Sequence, residues 1–104
     1  MDLKESTLSV KEIFQGKVFK VHVDEVELPD GRISKREVVN HPGGVCIVAE
    51  DVEGRFLFVR QYRYPCGRVM LELPAGKLEQ GEDPLACAKR ELREETGALS
   101  EHFI

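Results

Sequence analysis

The chain has 104 residues, of which 41% are hydrophobic and 33% are charged, and its formal net charge is −4. This length fits one domain and leaves no room for two. The acidic balance argues against duplex nucleic acid and anionic membranes as main partners, because both reward a basic surface. No apolar stretch reaches the length of a membrane span, and the start lacks a signal-peptide core, so we expect a cytoplasmic protein.

The three cysteines follow neither a disulfide pattern nor a zinc pattern. Cys46, Cys66 and Cys87 are an odd number, and no two of them have CxxC spacing. This usage predicts reduced thiols. Cys87 stands among small residues of a predicted helix, so we interpret it as a packed thiol and not as a nucleophile.

Residues 1–42 predict an N-terminal region built on a β-hairpin. Residues 18–28 alternate apolar and polar side chains, and residues 33–40 would form the returning strand. The run Pro29-Asp30-Gly31-Arg32 between them is typical of a turn, because proline presets one backbone dihedral and glycine tolerates a positive one. The run His41-Pro42-Gly43-Gly44 interrupts the pattern, and we place the boundary with the main body there.

Residues 43–104 predict short strands followed by a helix. Three runs rich in β-branched and aromatic side chains are predicted strands: residues 45–49, 55–62 and 69–73. Asp83 as N-cap, Pro84 at the first position and Gly97 as the terminating residue predict a helix over residues 84–96. The chain stops on an apolar pair typical of a starting strand, so we expect a truncated chain whose core is incomplete at its C-terminus.

The predicted helix concentrates acidic side chains on one face. Glu91, Glu94 and Glu95 stand at positions i, i+3 and i+4, and like charges at i, i+4 cost roughly 0.2–0.5 kcal/mol on an exposed helix. A hard cation between them removes this cost, and carboxylates without His or Cys favour Mg²⁺ or Mn²⁺ over zinc. Arg90 can pair with Glu94 and orient it. The alternative is a solvated Glu and Arg face of an amphipathic helix.

The spacing of the wider segment resolves this choice. Gly76 is followed by five residues and Glu82, then by seven residues and the run Arg90-Glu91-Leu92-Arg93-Glu94-Glu95-Thr96-Gly97-Ala98. This pattern resembles the box of the Nudix hydrolases, with Ala98 smaller than the aliphatic residue usual there. The flanking runs Gln61-Tyr62-Arg63 and Glu72-Leu73-Pro74-Ala75-Gly76 resemble the ADP-ribose and nucleotide-sugar pyrophosphatase branch of that family.

The resemblance implies roles for individual residues. The metal ligands would be Glu91 and Glu95, with Glu94 as a further or water-bridged ligand, the backbone carbonyl of Ala75, and Glu82 in or beside the cluster. Arg90 would hold a glutamate in place, and Arg63 would contact a phosphate. Glu72 and Glu79 would reach the ribose or a metal. Ordinary surface roles are the alternative for Arg63, Glu72 and Glu79.

The resemblance also implies a fold and a reaction. The fold would be α/β, with a Nudix-type mixed sheet, the box helix packed on it, and the N-terminal antiparallel hairpin as a dimer exchange element. The reaction would be Mg²⁺-dependent hydrolysis of a nucleoside diphosphate derivative, ADP-ribose giving AMP and ribose 5-phosphate, by a homodimer. Catalysis would use Glu91, Arg90 and Glu94. In this branch the general base commonly follows the box, and Glu94 is the candidate within it. The alternative is a catalytically inactive Nudix-like nucleotide-binding or structural fragment.

Overall fold

The computed structural model describes residues 1–104 and contains two compact units, Met1–Pro42 and Gly43–Ile104. Each unit is described separately below. No helix in either has the length and apolar character that crossing a membrane requires.

The first unit is a three-stranded antiparallel sheet in the order β1 (Ser6–Gln15), β2 (Lys20–Glu27) and β3 (Ile33–Asn40). The predicted hairpin corresponds to β2 and β3, and its turn contains Gly31 at a φ of 87°. Strand β1 was not predicted. Its register against β2 shifts twice, between Thr7 and Ser9 and between Glu12 and Phe14. These irregularities break the alternation of side chains by which a strand is found in a sequence.

The buried residues of this sheet are two on one face of the central strand β2. Asp24 and Val26 are 8% and 6% exposed, whereas every residue of β1 is exposed. Arg36, which is paired with Asp24 across β2 and β3, donates from Nε and Nη2 to the two carboxylate oxygens of Glu5, each at 2.9 Å. This ion pair links the segment before β1 to the far edge strand.

The second unit contains β4 (Gly44–Cys46), β5 (Val59–Arg63), β6 (Arg68–Glu72), β7 (Ala75–Lys77) and α1 (Pro84–Thr96). Strand β4 pairs with β7, and β5 pairs with β6, each pair antiparallel. The prediction of a mixed sheet is thus wrong in this detail, because every strand pair of the structure is antiparallel. The connection from β5 to β6 is a tight turn, which joins only antiparallel neighbours.

The first two predicted strands of this unit are shorter or shifted in the structure. The expected central strand 45–49 forms ladder pairs only in β4, and its Ile47 then donates one backbone hydrogen bond to Pro74 at 2.8 Å. The strand predicted from residue 55 begins at Val59, after an isolated bridge between Glu50 and Phe56.

The helix α1 has the predicted bounds and caps. The Asp83 side chain accepts a hydrogen bond from the Ala86 backbone N–H at 3.1 Å. Gly97, at a φ of 75°, ends the helix by donating to the Arg93 carbonyl. The helix packs on β7 and β4 with Cys87 and Leu92 as its buried residues. The box helix therefore covers the β4–β7 pair, as predicted.

Candidate functional site

The guanidinium of Arg90 connects three of the predicted acidic residues. Its Nε and Nη2 donate to the two carboxylate oxygens of Glu82, each at 2.9 Å. Its Nη1 donates to Glu91 at 2.8 Å and to Glu94 at 3.3 Å. The expected bond to Glu94 is present, but the bidentate pair with Glu82 is the stronger geometry. Glu82 lies in the loop before the helix, so helical periodicity gave no signal for this bond.

Hydrogen bonds between Glu79 and Glu82 hold the loop before α1 in its conformation. The Glu82 N–H donates to the Glu79 carbonyl at 3.0 Å, and the Glu79 N–H donates back to the Glu82 carboxylate at 3.1 Å. Gly81 adopts a φ of 74°, which this turn requires and which other residues rarely adopt. The hydrogen bonds from Arg90 and from the Glu79 backbone lower the pKa of Glu82 to about 2. The hydrogen bonds to Glu82 and Glu91 raise the pKa of Arg90, so Glu82 and Arg90 are both charged near neutrality.

Two of the helix glutamates lie on the backbone of β7. A carboxylate oxygen of Glu95 accepts a hydrogen bond from the Ala75 N–H at 3.2 Å. The carboxylate of Glu91 lies over Gly76, where a Cβ atom would overlap it. The Pro-Ala-Gly run predicted to bring a backbone carbonyl to the cluster is therefore in contact with both side chains. The motif indicated a glycine at position 76, but nothing in the sequence indicated that this glycine makes room for the Glu91 carboxylate.

The four glutamates around Arg90 differ in how far their side chains are exposed to solvent. The side chains of Glu82 and Glu91 are 14% and 15% exposed, whereas those of Glu94 and Glu79 are 52% and 73% exposed. Glu79 is 3.9 Å from Arg90 and is the loosest member of the group. The buried thiol of Cys87 lies beneath them, 3.6 Å from the Lys77 carbonyl and 3.7 Å from Arg90.

Arg63 and Glu72 bind each other. Arg63 donates from Nε and Nη2 to the two carboxylate oxygens of Glu72, at 2.8 and 2.5 Å. This pairing raises the pKa of Arg63 and lowers that of Glu72. The carboxylate of Glu95 also contributes to the raised pKa of Arg63, which relates this pair to the acidic helix.

The donor atoms suit a hard divalent cation, although no three acidic, His or Cys side chains form a ready-made metal cluster. Glu91 and Glu95 each use one carboxylate oxygen in a hydrogen bond, which leaves the other oxygen for a ligand. Mg²⁺ is commonly held by one or two carboxylates, with water and substrate phosphates completing its coordination. Two carboxylates beside the backbone of Ala75 and Gly76 fit that requirement.

Comparison with known families decides the relationship that the motif suggested. A model of the NUDIX domain matches residues 40–104, which is more than half of the chain. The chain belongs to the NUDIX domain family. Residues 5–39 match a second model, the N-terminal domain of nucleoside diphosphate sugar hydrolases.

Similar proteins extend this result over nearly the whole chain. An ADP-ribose pyrophosphatase of Bacillus subtilis is 52% identical over 95 residues, covering 91% of this chain and 51% of that protein. A methanol dehydrogenase activator of Bacillus methanolicus is 52% identical over 94 residues, covering 90% of this chain and 51% of its own. The chain thus spans about half the length of these two relatives.

A solved structure supports the fold class. The crystal structure of an ADP compounds hydrolase superposes with a TM-score of 0.75 at 26% identity, covering 93% of this chain and 54% of that one. The predicted Nudix-type α/β fold is therefore confirmed, with antiparallel strand pairs in place of the mixed sheet.

Proposed function

We propose that this Nudix chain belongs to an enzyme that hydrolyses the pyrophosphate bond of a nucleoside diphosphate derivative in a Mg²⁺-dependent reaction. The proposed substrate is ADP-ribose, and the products are AMP and ribose 5-phosphate. The observation that carries the proposal is the placement of Glu91 and Glu95 against the backbone of Ala75 and Gly76. The similarity to an ADP-ribose pyrophosphatase supports the choice of substrate.

Glu91, Glu95 and the Ala75 carbonyl would hold the cation, with Glu94 at its outer side. Glu82 has a different part, because both its oxygens accept from Arg90. We assign Glu82 to anchoring Arg90, which in turn orients Glu91 and Glu94. Mn²⁺ would fit the same oxygens. When bound, the cation would offset the charge of the diphosphate and favour an ionised water.

In the proposed reaction, a water oxygen bonds to one phosphorus and the bond from that phosphorus to the bridging oxygen breaks. The bridging oxygen leaves with the other phosphate, and the water loses one proton. Glu94 is the proposed proton acceptor within the box. Its side chain is half exposed, and one oxygen takes a single long bond from Arg90 at 3.3 Å. The other oxygen is available for water.

Two residues outside the helix would bind the substrate. Arg63 would bind a phosphate, because a guanidinium matches phosphate oxygens in bidentate geometry. Glu79 would accept a hydrogen bond from a ribose hydroxyl, since its carboxylate is exposed and lies 3.9 Å from Arg90.

The test is release of AMP from ADP-ribose with and without Mg²⁺, for the chain as it stands. We expect Glu95→Gln to abolish AMP release, because the substitution removes a ligand charge while preserving side-chain shape. The matched control is Glu101→Gln, which neutralises an exposed glutamate outside the cluster and should preserve the rate. An unchanged rate in Glu95→Gln would contradict the assignment.

A regulatory or binding domain is the second candidate. The observation that favours it is the equally similar relative described as an activator of methanol dehydrogenase. Binding of ADP-ribose without any AMP release, in the presence of Mg²⁺, would support this candidate over hydrolysis.

We also propose a cytoplasmic homodimer, with the first unit as the element exchanged or paired between copies. All ten residues of β1 are exposed, which leaves its faces and outer edge available to a second chain. The free thiols of Cys46, Cys66 and Cys87 support a reducing compartment. A monomeric mass by light scattering would contradict the dimer.

A further inference from the structure

Arg63 and Glu72 form their ion pair although they do not lie opposite each other in the β5–β6 hairpin. Arg63 is paired with Arg68 at the turn, whereas Glu72 is paired with Val59 at the open end. Directly paired residues share a face of an antiparallel sheet, and so do alternate residues along each strand. Arg63 and Glu72 are therefore on the same face, and the Arg63 side chain reaches along the strands to meet its partner.

The residue directly opposite Arg63 on the neighbouring strand does not stabilise the Arg63 side chain near the turn. That neighbour is Arg68, and like charges directly opposite each other on a sheet are destabilising. Glu72 supplies two charge-assisted bonds in the other direction. Both side chains are only partly exposed, at 43% for Arg63 and 25% for Glu72.

The open end of the hairpin is the end that leads to the acidic helix. Ala75 follows Glu72 by three residues, and its N–H donates to Glu95 at 3.2 Å. The Glu95 carboxylate contributes to the raised pKa of Arg63, so the guanidinium lies within its field. The bonds to Glu72 use the Nε–H and one Nη2–H of Arg63. The two N–H groups of Nη1 and the second N–H of Nη2 are left for another anion.

We propose that Glu72 is a positioning residue, which does not touch the substrate but holds Arg63 at the Ala75–Glu95 edge of the site, with Nη1 directed to a diphosphate oxygen. This inference rests on the proposed function and gives Glu72 a role other than the ribose or metal contact expected from the sequence. The opposite view is that Glu72 masks the charge of Arg63 until substrate displaces it. The two views predict changes of opposite sign.

The deciding experiment is a double-mutant cycle on binding, with inorganic pyrophosphate and Mg²⁺ as the probe, titrated calorimetrically into the whole chain. We expect Glu72→Gln to weaken binding about tenfold, the scale of one lost charge-assisted hydrogen bond. Arg63→Gln should weaken it at least as much, and the double variant should bind like Arg63→Gln alone. Additive losses would mean that Glu72 touches the ligand itself, and tighter binding by Glu72→Gln would mean masking. Either result overturns the proposal.

Two further measurements separate positioning from a general loss of structure. The Nε–H resonance of Arg63 in ¹⁵N NMR spectra, identified by its loss in Arg63→Gln, should be sharp in the wild type and shift when pyrophosphate is added. In Glu72→Gln it should broaden while the melting temperature changes little. Glu72→Asp keeps the carboxylate on a side chain that is one methylene shorter. Its affinity for pyrophosphate should lie between those of the wild type and Glu72→Gln.

The matched control is Glu5→Gln, which breaks the Arg36–Glu5 pair of the same Nε and Nη2 geometry in the first unit. Its pyrophosphate affinity should equal that of the wild type. If the Nε–H resonance of Arg63 in the wild type does not shift when pyrophosphate is added, the inference is overturned. Failure of the proposed function has a different signature, namely pyrophosphate binding with the expected cycle but no AMP release from ADP-ribose.

Discussion

The carboxylate of Glu91 occupies the space that a side chain at Gly76 would need. A Cβ atom built on Gly76 would overlap Cγ, Cδ and Oε1 of Glu91. Gly76 is not among the glycines with positive φ, so the requirement is for space and not for backbone freedom. Strand β7 and helix α1 approach closely at this point because residue 76 has no side chain.

The first prediction concerns Gly76→Ala. The added methyl group forces Glu91 out of its place, and we expect a loss of about 1–3 kcal/mol in the free energy of unfolding, the usual scale of overpacking. AMP release from ADP-ribose should fall with it, because Glu91 no longer lies against the backbone of β7 at Gly76. Urea unfolding and the AMP assay measure the two effects.

A second substitution shows whether this overlap, and not some other effect of Gly76→Ala, causes the loss of stability. In Gly76→Ala combined with Glu91→Ala, the overlapping atoms are gone, so stability should recover. AMP release should not recover, because the double variant lacks the carboxylate of Glu91. Equal instability of the single and double variants would show that Glu91 is not what residue 76 accommodates.

Arg90→Lys tests the guanidinium that joins Glu82, Glu91 and Glu94. Lysine keeps the charge but lacks the planar fork that meets both oxygens of Glu82. We expect a roughly 10- to 100-fold loss in activity or Mg²⁺ affinity, as is typical when a partner that orients metal ligands is lost. Arg93→Lys, on an exposed position of the same helix, serves as control and should behave like the wild type. Equal behaviour of the two variants would refute the role of Arg90.

The turn at Asp51 predicts a pH dependence of stability outside the site. Asp51 accepts backbone hydrogen bonds from Glu53 at 2.8 Å and Arg55 at 3.0 Å, and a side-chain bond from Arg55 at 2.9 Å. The backbone bond from Arg55 is the main reason that the pKa of Asp51 lies below its usual 3.8. Because the folded pKa is the lower one, this stabilisation is complete above about pH 3.8 and is lost as the pH falls through the folded value.

Comparison of the wild type with Asp51→Asn in urea unfolding at pH 6 and pH 3 tests this. The destabilisation caused by the substitution should be larger at pH 6 than at pH 3, with Glu101→Gln as the control. A difference that stays constant between the two pH values would argue against the carboxylate as its source.

Cys87 should be the slow thiol of the chain. It is fully buried, whereas Cys46 and Cys66 are exposed, and burial is the main cause that raises the pKa of the Cys87 thiol. Since the thiolate is the reactive form, a disulfide reagent should label two thiols rapidly and the third only when urea unfolds the chain. Cys87→Ala should abolish the slow phase alone. Rapid labelling of all three thiols in the native chain would contradict the packed position.

Local features of this fold could be predicted because they depend on residues close together in the chain. Asp83, Pro84 and Gly97 set the ends of α1 through contacts within one turn. The strand β1 could not be predicted, because its two register shifts obscure the alternation of side chains. Strands 45–49 and 55–62 were overextended, because a run of apolar residues does not mark where ladder pairing begins or ends.

The sequence by itself determined that Glu91, Glu94 and Glu95 share a helical face and that their spacing from Gly76 and Glu82 is that of a Nudix chain. In a helix, the spacing of residues along the chain alone fixes which side chains lie on the same face, whatever the rest of the fold does. Only the tertiary structure decided that Glu82 holds Arg90, that Glu72 holds Arg63, and that Gly76 makes room for Glu91. Each of these contacts joins separate elements, so it depends on the path of the backbone between them, which no local pattern of side chains encodes.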